Sequence, residues 1–502
     1  LSESVAIIGA GIGGLCTALA LAPTGRAITI LERDAAPPGN DPDTVFNEWK
    51  HTGVGHLRQS HAFLARLRTI IKTEHPRLLD ELLALGVREL PFENMLSPNQ
   101  RDSYRPMPED SDLTIITSRR TTLELAMRRY VETLDNVTIR PDFPVRRLQT
   151  SKADDGVIDV TGVVGGVEGE EVVFPADIVV DASGKGGSTI DQLREEGAVI
   201  SEEYETAGIL YFTRHYRLKP GMTEPSRHDN PPAGGDLGFL KFGVFPGDNG
   251  CFSITVAIPE VEMELRKAIL NPDIFHNITL MLPGLQPWTN EERSIAVGRV
   301  HGMGDLVSRW RELVVDGKPS TRGYFALGDT LVRTNPLYGR GCSFAAVSAQ
   351  SLRQCLDETS DPTARLISFQ KRIHDELRPF YINQRTQDRA AIDRARRALT
   401  PSARTTFRAR MLQGFFEDGV QIALRSDVAL LRQAMRGFHM LEHPDKWLGK
   451  PANLAKVLGY WAKGKKRNAA AYPPKAGPER NELMKGLNID YQADIDRIAQ
   501  AA

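Results

Sequence analysis

The sequence predicts an α/β fold: a parallel sheet wound with helices, an inserted and mainly antiparallel β domain, and a helical C-terminal region. Three observations predict it. An apolar run at residues 4–9 is broken by Gly9-Ala10-Gly11-Ile12-Gly13-Gly14, then followed by helical density at 13–22 and a second apolar run at 27–32. Runs rich in Phe, Tyr, Ile and Val recur at 204–217 and 238–258, separated by a Pro/Gly/Asp loop. From about residue 363 onward the pattern is almost wholly helical.

The first run lacks polar alternation, as a parallel strand covered on both faces does. With the helix and second run it makes one βαβ unit. Further strands are expected near 137–149, 157–164, 170–181 and 322–329, with a Gly-rich turn at 165–169 and a long helix from about 340 to 357. A chain of 502 residues exceeds what one core supports, so several packed units are expected. Residues 1–75, 116–200 and 286–362 are assigned to the nucleotide-binding domain, 76–115 and 201–285 to a substrate domain, and 363–502 to the helical region.

The glycines sit between a strand and a helix, the context in which the spacing has meaning. Gly9 allows a tight turn, Gly11 lets backbone approach a pyrophosphate, and Gly14, beside Gly13, lets helix and strand pack closely. The helix N-terminus offers unpaired N–H groups to phosphates. Glu32 ends the second strand, where a carboxylate can accept hydrogen bonds from a ribose. The unit is therefore Rossmann-like and suited to a dinucleotide, without distinguishing FAD from NAD.

Two later segments decide between them: Asp177-Ile-Val-Val-Asp-Ala-Ser-Gly-Lys-Gly-Gly-Ser188 and Ala326-Leu-Gly-Asp-Thr-Leu-Val-Arg-Thr-Asn-Pro-Leu-Tyr-Gly-Arg-Gly-Cys342. With Gly9 to Gly14 they resemble the group A flavoprotein monooxygenases, of p-hydroxybenzoate hydroxylase type. The resemblance implies an FAD-binding domain in which Gly328 and Asp329 hold the ribityl chain. Gly339, Gly341 and Cys342 would lie beside the isoalloxazine, and Asp181 would belong to the same site. A closer similarity is to bacterial epoxidase-like members of polyether biosynthesis. It rests on Val-Val-Asp-Ala-Ser-Gly, Asn-Pro-Leu-Tyr-Gly-Arg-Gly, Gly53-Val-Gly-His-Leu-Arg-Gln-Ser-His61 and Arg120-Thr-Thr-Leu-Glu124. Arg58 and Arg120 would then face FAD phosphates, and Arg33 and Val145 complete the candidate cofactor contacts.

The implied activity is monooxygenation through a flavin C4a-hydroperoxide, by epoxidation or hydroxylation of a lipophilic unsaturated or aromatic substrate in secondary metabolism. O₂ is the co-substrate. The family segment near Asp181 usually reads Asp-Gly, whereas this chain has Asp-Ala-Ser-Gly. NAD(P)H and a separate flavin reductase therefore both stand as electron donors. Tyr211, Phe212, Phe242 and Phe245, with Phe239, are the expected walls of the substrate pocket, and Tyr338 is the aromatic expected nearest substrate. No protein base is identifiable, and the flavin itself carries the chemistry. One alternative is reduction of isoprenoid double bonds, whose signature is echoed by Phe245-Pro246. Another is a flavin-holding interaction module without turnover. Halogenation ranks low because no Trp-x-Trp-x-Ile-Pro occurs.

The net charge of −1 gives no field for nucleic acid. Four scattered cysteines fit a reducing compartment, and no signal peptide or spanning helix is visible, so a cytoplasmic location is expected. His51, His56 and His61 share no helical face, so no metal is expected. Basic residues cluster at 386–410, and Leu454, Val457, Leu458 and Trp461 precede lysines. That stretch suits core or lid packing, or a peripheral membrane contact.

Overall fold

The computed structural model describes residues 3–167, 170–227, 230–400 and 406–501. Its centre is a five-stranded parallel sheet, in the order Tyr324–Ala326, Ile178–Asp181, Ser4–Ile8, Ala27–Leu31, Val137–Arg140. Ile8 lies opposite both Leu31 and Asp181, and Asp181 opposite Ala326. That register brings Gly9, Glu32, the turn after Asp181 and the turn at Gly328 out at one carboxyl edge, the place where open α/β sheets bind ligands.

The helix Ile12–Leu21 packs against Gly341–Glu358 and Arg120–Glu132. A three-strand antiparallel ribbon, Val145–Lys152, Ile158–Val167 and Glu170–Pro175, packs against the strand at Ile178–Asp181. Residues 165–167 of the expected Gly-rich turn continue a strand, and 168–169 lie outside the described residues. One apolar core runs from Ile7 and Val180 through Phe325 to Phe369 and Leu377. The first half of the helix Pro362–Ala398 is therefore part of the nucleotide half, with Phe325 and Phe369 meeting edge to face at 5.5 Å.

The second sheet is antiparallel, in the order Gly234–Asp236, Lys241–Pro246, Cys251–Pro259, Ile209–Leu218, Ser294–Met303. Its last strand falls beyond the boundary expected at 285, because Ser294–Met303 finds its backbone partners on Ile209–Leu218. Leu483, Met484 and Leu487 also return to this sheet's core, so the chain's end leaves the helical region to cover Phe212, Phe252 and Trp288. Conversely Leu78 and Leu82 of Pro76–Ala84 are buried in the nucleotide half, while Phe92 and Leu113 pack on Leu431. The expected 76–115 segment is thus divided between two clusters by where its apolar faces find cover.

The remaining C-terminal helices form a satellite core around Val420, Leu430 and Val457. Leu454 and Leu458 stay 38% and 43% exposed. Among the described residues no helix is long and apolar enough to cross a membrane. Residues 401–405, within the basic stretch, lie outside the described residues.

Candidate functional site

The glycine turn is built by close approach. A Cβ on Gly14 would stand 1.9 Å from the Gly9 carbonyl oxygen, so only glycine lets the helix leave the strand at this angle. Gly9 N–H donates to Leu31 O at 2.9 Å, closing the turn onto the neighbouring strand. Gly11 faces outward, its nearest neighbour for a Cβ being Val54 Cγ2 at 3.8 Å, and a Cβ on Gly13 would meet the Ala182 Cβ at 3.5 Å. Glu32, 4% exposed, accepts from Ala10 N at 2.6 Å and Asp34 N at 2.8 Å. It therefore braces the turn, from a strand end suited to accept ribose hydroxyls. Arg33 is half exposed at the rim, 3.9 Å from the Asp34 carboxylate.

At the other end of the edge, Asp329 sits in the turn Gly328–Thr330 that follows the strand Tyr324–Ala326. Its carboxylate is half-buried and has no hydrogen-bond or ion-pair partner among the described residues. Burial pushes its carboxyl above the ordinary range, against the opposing pull of Arg333, Arg120, Arg309 and Lys185. A carboxylate among cations without touching one is suited to accept hydroxyl hydrogen bonds. Gly339 has φ 65°, and a Cβ there would press on Ala62 O at 3.0 Å. A Cβ on Gly341, in the first turn of the helix Gly341–Glu358, would meet no atom within 4 Å. The helix N-terminus therefore opens onto free space bordered by backbone, a cradle that fits a flat ring with a partly negative edge. Cys342 beside it has its thiol pushed up to about 11 by burial, so it stays a neutral packing group.

Arg120 faces this space rather than solvent. Its guanidinium is held by Glu124 at 2.6 Å and by His56 Nε2. Because an arginine only donates, His56 must accept at Nε2 and is neutral. Burial and then Arg120 itself hold that imidazole well below its usual pKa, and burial brings His61 down to about 3. Three other candidates are engaged within the protein. Arg58 donates to the carbonyls of Phe46 at 3.0 Å and Trp49 at 3.2 Å, closing the helix Pro42–Glu48. Asp181 is fully buried and accepts from Ser183 N, Ser183 Oγ, Thr189 and Tyr324, bracing the turn after its strand. Val145 is half-buried in the ribbon opposite Gly165.

The aromatic candidates divide by strand alternation. Phe212, Phe239 and Phe242 lie in the core on the far side of the antiparallel sheet, with Phe252 and Trp288. Tyr211 lies on the other face, packed near Leu306 and Leu337, and Phe245 pairs with Ser253 on that face. This near face is unexpectedly polar: Thr213 donates to Gln59 at 2.6 Å, Ser60 meets Ser253 at 2.7 Å, and His215 Nε2 lies 2.9 Å from Arg58 O. Period-two alternation locates both faces, but only the tertiary contact with the 56–63 loop tells which one looks toward the nucleotide half. Tyr338 follows Asn335 in the turn before Gly339, with the Arg340 guanidinium 5.2 Å from its ring.

Glu32, Asp34 and His51 bring one ligand atom each within 4.8 Å of one another. Their oxygens already accept from Ala10, Asp34, Thr52 and Gly53, and His51 Nδ1 is 3.0 Å from Asp34, which suits a bracing network rather than a cation site. Sequence reasoning missed Lys185, Arg309 and Arg333 around Asp329, which come from three separated segments. It also missed Arg119, whose only sign in the sequence is its place beside Arg120.

Residues 7–68 match the NAD(P)-binding Rossmann-like domain family. Protein Rv3254 of Mycobacterium tuberculosis is 27% identical over 375 residues, covering 70% of this chain and 73% of its own. Among solved structures, the flavin-dependent halogenase CmlS superposes with a TM-score of 0.59 at 16% identity, over 92% of this chain and 78% of that one. PqsL, a probable FAD-dependent monooxygenase from Pseudomonas aeruginosa, gives 0.54 at 15% identity, over 78% of this chain and 98% of that one. The architecture is accordingly the Rossmann-like FAD-binding α/β fold of flavoprotein monooxygenases and halogenases, with mixed sheets and a helical C-terminal region.

Proposed function

We propose that this chain is an FAD-dependent monooxygenase that inserts one oxygen atom from O₂ into a lipophilic unsaturated or aromatic compound of secondary metabolism. The observation that carries the cofactor is the unpartnered, half-buried carboxylate of Asp329 at the sheet edge shared with Gly9 to Gly14. Ribityl hydroxyls are the donors it lacks. When bound, FAD supplies the O₂ activation and the oxygen transfer.

The chain's own residues bind, orient and exclude water. Gly14 and Glu32 shape the pyrophosphate turn, and Arg120 adds a positive charge fixed by Glu124. The N-terminus of Gly341–Glu358 would stabilise negative charge on the reduced ring. Tyr211, Phe245 and Tyr338 are the aromatic residues that would border substrate on this reading, and neutral His56 offers no proton at Nε2. Epoxidation needs no base to activate an alkene, which agrees with this inventory and with the epoxidase-like motifs around Asp181 and Asn335. NAD(P)H or a separate flavin reductase would supply electrons.

The test is to load the purified chain with FAD, reduce it, and supply isotopically labelled O₂ with a panel of terpenoid alkenes and phenols. Label in an epoxide or phenol product is expected. Saturated product without label would replace this activity with double-bond reduction.

A further inference from the structure

Asp388 lies on the helix Pro362–Ala398, 4% exposed, against the turn at Asn335. Its Oδ1 accepts from Asn335 Nδ2 at 2.8 Å, but Oδ2 is buried with no partner. One helical turn earlier, Gln384 donates through Nε2 to the Asn335 carbonyl at 2.5 Å, and its Oε1 is also buried and unpartnered. At the far end of the same amide, Asn335 Oδ1 accepts from the Tyr211 hydroxyl at 2.5 Å and from Leu337 N at 3.2 Å. Residues four apart on a helix are neighbours on its surface. Two buried acceptors one helical turn apart, each without a donor, are costly. A single proton on Asp388 Oδ2 turns that atom into a donor toward Gln384 Oε1 and satisfies both.

We propose that Asp388 is a positioning residue: protonated, it joins Gln384 in clamping Asn335, and through Asn335 the Tyr211 hydroxyl and the 335–341 turn, while its ionisation releases the clamp. The turn's importance for the flavin rests on the monooxygenase reading; the clamp itself does not.

The surroundings favour the protonated form. Burial pushes the Asp388 carboxyl up to about 6, despite the opposing pull of the Asn335 hydrogen bond, Arg340 and Lys241, and with Glu205 adding to the rise. The phenols of Tyr211 and Tyr338 face it as well. In the adjoining cleft Lys241 is 2.5 Å from Asp236, and Arg394 lines the wall. Once ionised, Asp388 Oδ2 repels Gln384 Oε1. The amide must then turn its Nε2 away from the Asn335 carbonyl, or water must enter from the cleft.

Hydrogen exchange of the 335–341 amides, measured on the full chain with and without FAD, tests this. Between about pH 5 and pH 8 the wild type is expected to lose about tenfold protection beyond the intrinsic pH effect. Asp388→Asn, which can donate to Gln384 and accept from Asn335 at any pH, is expected to keep its protection. Parallel profiles for the two proteins overturn the proposal. If Asp388→Asn does not fold, the wild-type infrared difference spectrum between about pH 5 and pH 7 decides: loss of a carboxylic-acid band near pH 6, above the range of the ordinary carboxyls, supports the clamp, and no such loss in that interval overturns it. Both measurements succeed or fail without turnover, so labelled oxygen missing from product would remove the monooxygenase reading and leave the clamp standing.

Discussion

Arg119 and Asp248 form a buried ion pair, with Nη2 2.5 Å from Oδ1, that ties the start of the Arg120–Glu132 helix to the turn before Cys251 of the antiparallel sheet. Asp248 is fully buried and also accepts from Arg119 N at 2.8 Å and Thr122 at 3.0 Å. A desolvated charge pair thus joins the two halves of the molecule, beside the Thr213–Gln59 and Ser60–Ser253 hydrogen bonds. Replacing Arg119 with Met leaves Asp248 without its counter-ion, and a loss of about 3–5 kcal/mol is expected. The double variant Arg119→Met, Asp248→Leu should recover part of it. Thermal unfolding of the three proteins checks the order.

Gly14→Ala would place a methyl carbon 1.9 Å from the Gly9 carbonyl oxygen. Since backbone stands on both sides, helix and strand must separate. Loss of FAD retention with the antiparallel sheet still folded is the expected result, measured by flavin absorbance of the purified variant alongside circular dichroism.

Asp329→Asn separates a ligand-holding role from a structural one. Burial holds the Asp329 carboxyl above its ordinary range, so its ionisation does not stabilise the apo fold; that linkage favours folding at low pH and is lost as pH rises through the raised value. The variant is expected to leave apo stability unchanged or higher. Its affinity for FAD should fall by about 1.5–3 kcal/mol, the worth of hydrogen bonds to a charged group. Equilibrium titration with FAD and apo-protein melting together check the pair of outcomes.

The two faces of Ile209–Leu218 should respond differently. Phe212→Ala opens the core around Phe252 and Trp288 and should cost about 3–5 kcal/mol of stability with little selective effect on chemistry. Tyr211→Phe removes the donor to Asn335 with a much smaller cost, about 1 kcal/mol, and should alter turnover instead. Melting temperature against product formation distinguishes them.

Asp388 gives stability a pH dependence of defined sign. Its folded carboxyl is raised to about 6 by burial, so the native state binds the extra proton between the ordinary carboxylate value and about 6. Its contribution is complete below that window and lost as pH rises through it, by about 2–3 kcal/mol. Asp388→Asn should flatten the curve there, read from urea unfolding at stepped pH.

Much of the nucleotide half was legible because its signals are local. Gly9 to Gly14, Glu32 and the run before Asp329 each carry their geometry within a few residues, and the register of Ile8 with Leu31 and Asp181 assembles them. What escaped depends on contacts between distant segments. Nothing near Asp388 signals its pairing with Asn335, and Arg58 looks like a phosphate ligand until the Phe46 and Trp49 carbonyls are seen to take it. Phe212 and Tyr211 are adjacent in sequence and opposite in fate, because alternation gives two faces without saying which one is covered by the chain's own end.

The most direct test of the monooxygenase assignment is rapid mixing of the reduced, FAD-loaded chain with oxygenated buffer, followed by absorbance. A transient species distinct from both reduced and oxidised flavin, decaying faster when an oxidisable alkene or phenol is present, is the expected result. Direct return to oxidised flavin, unchanged by any such compound, would contradict it.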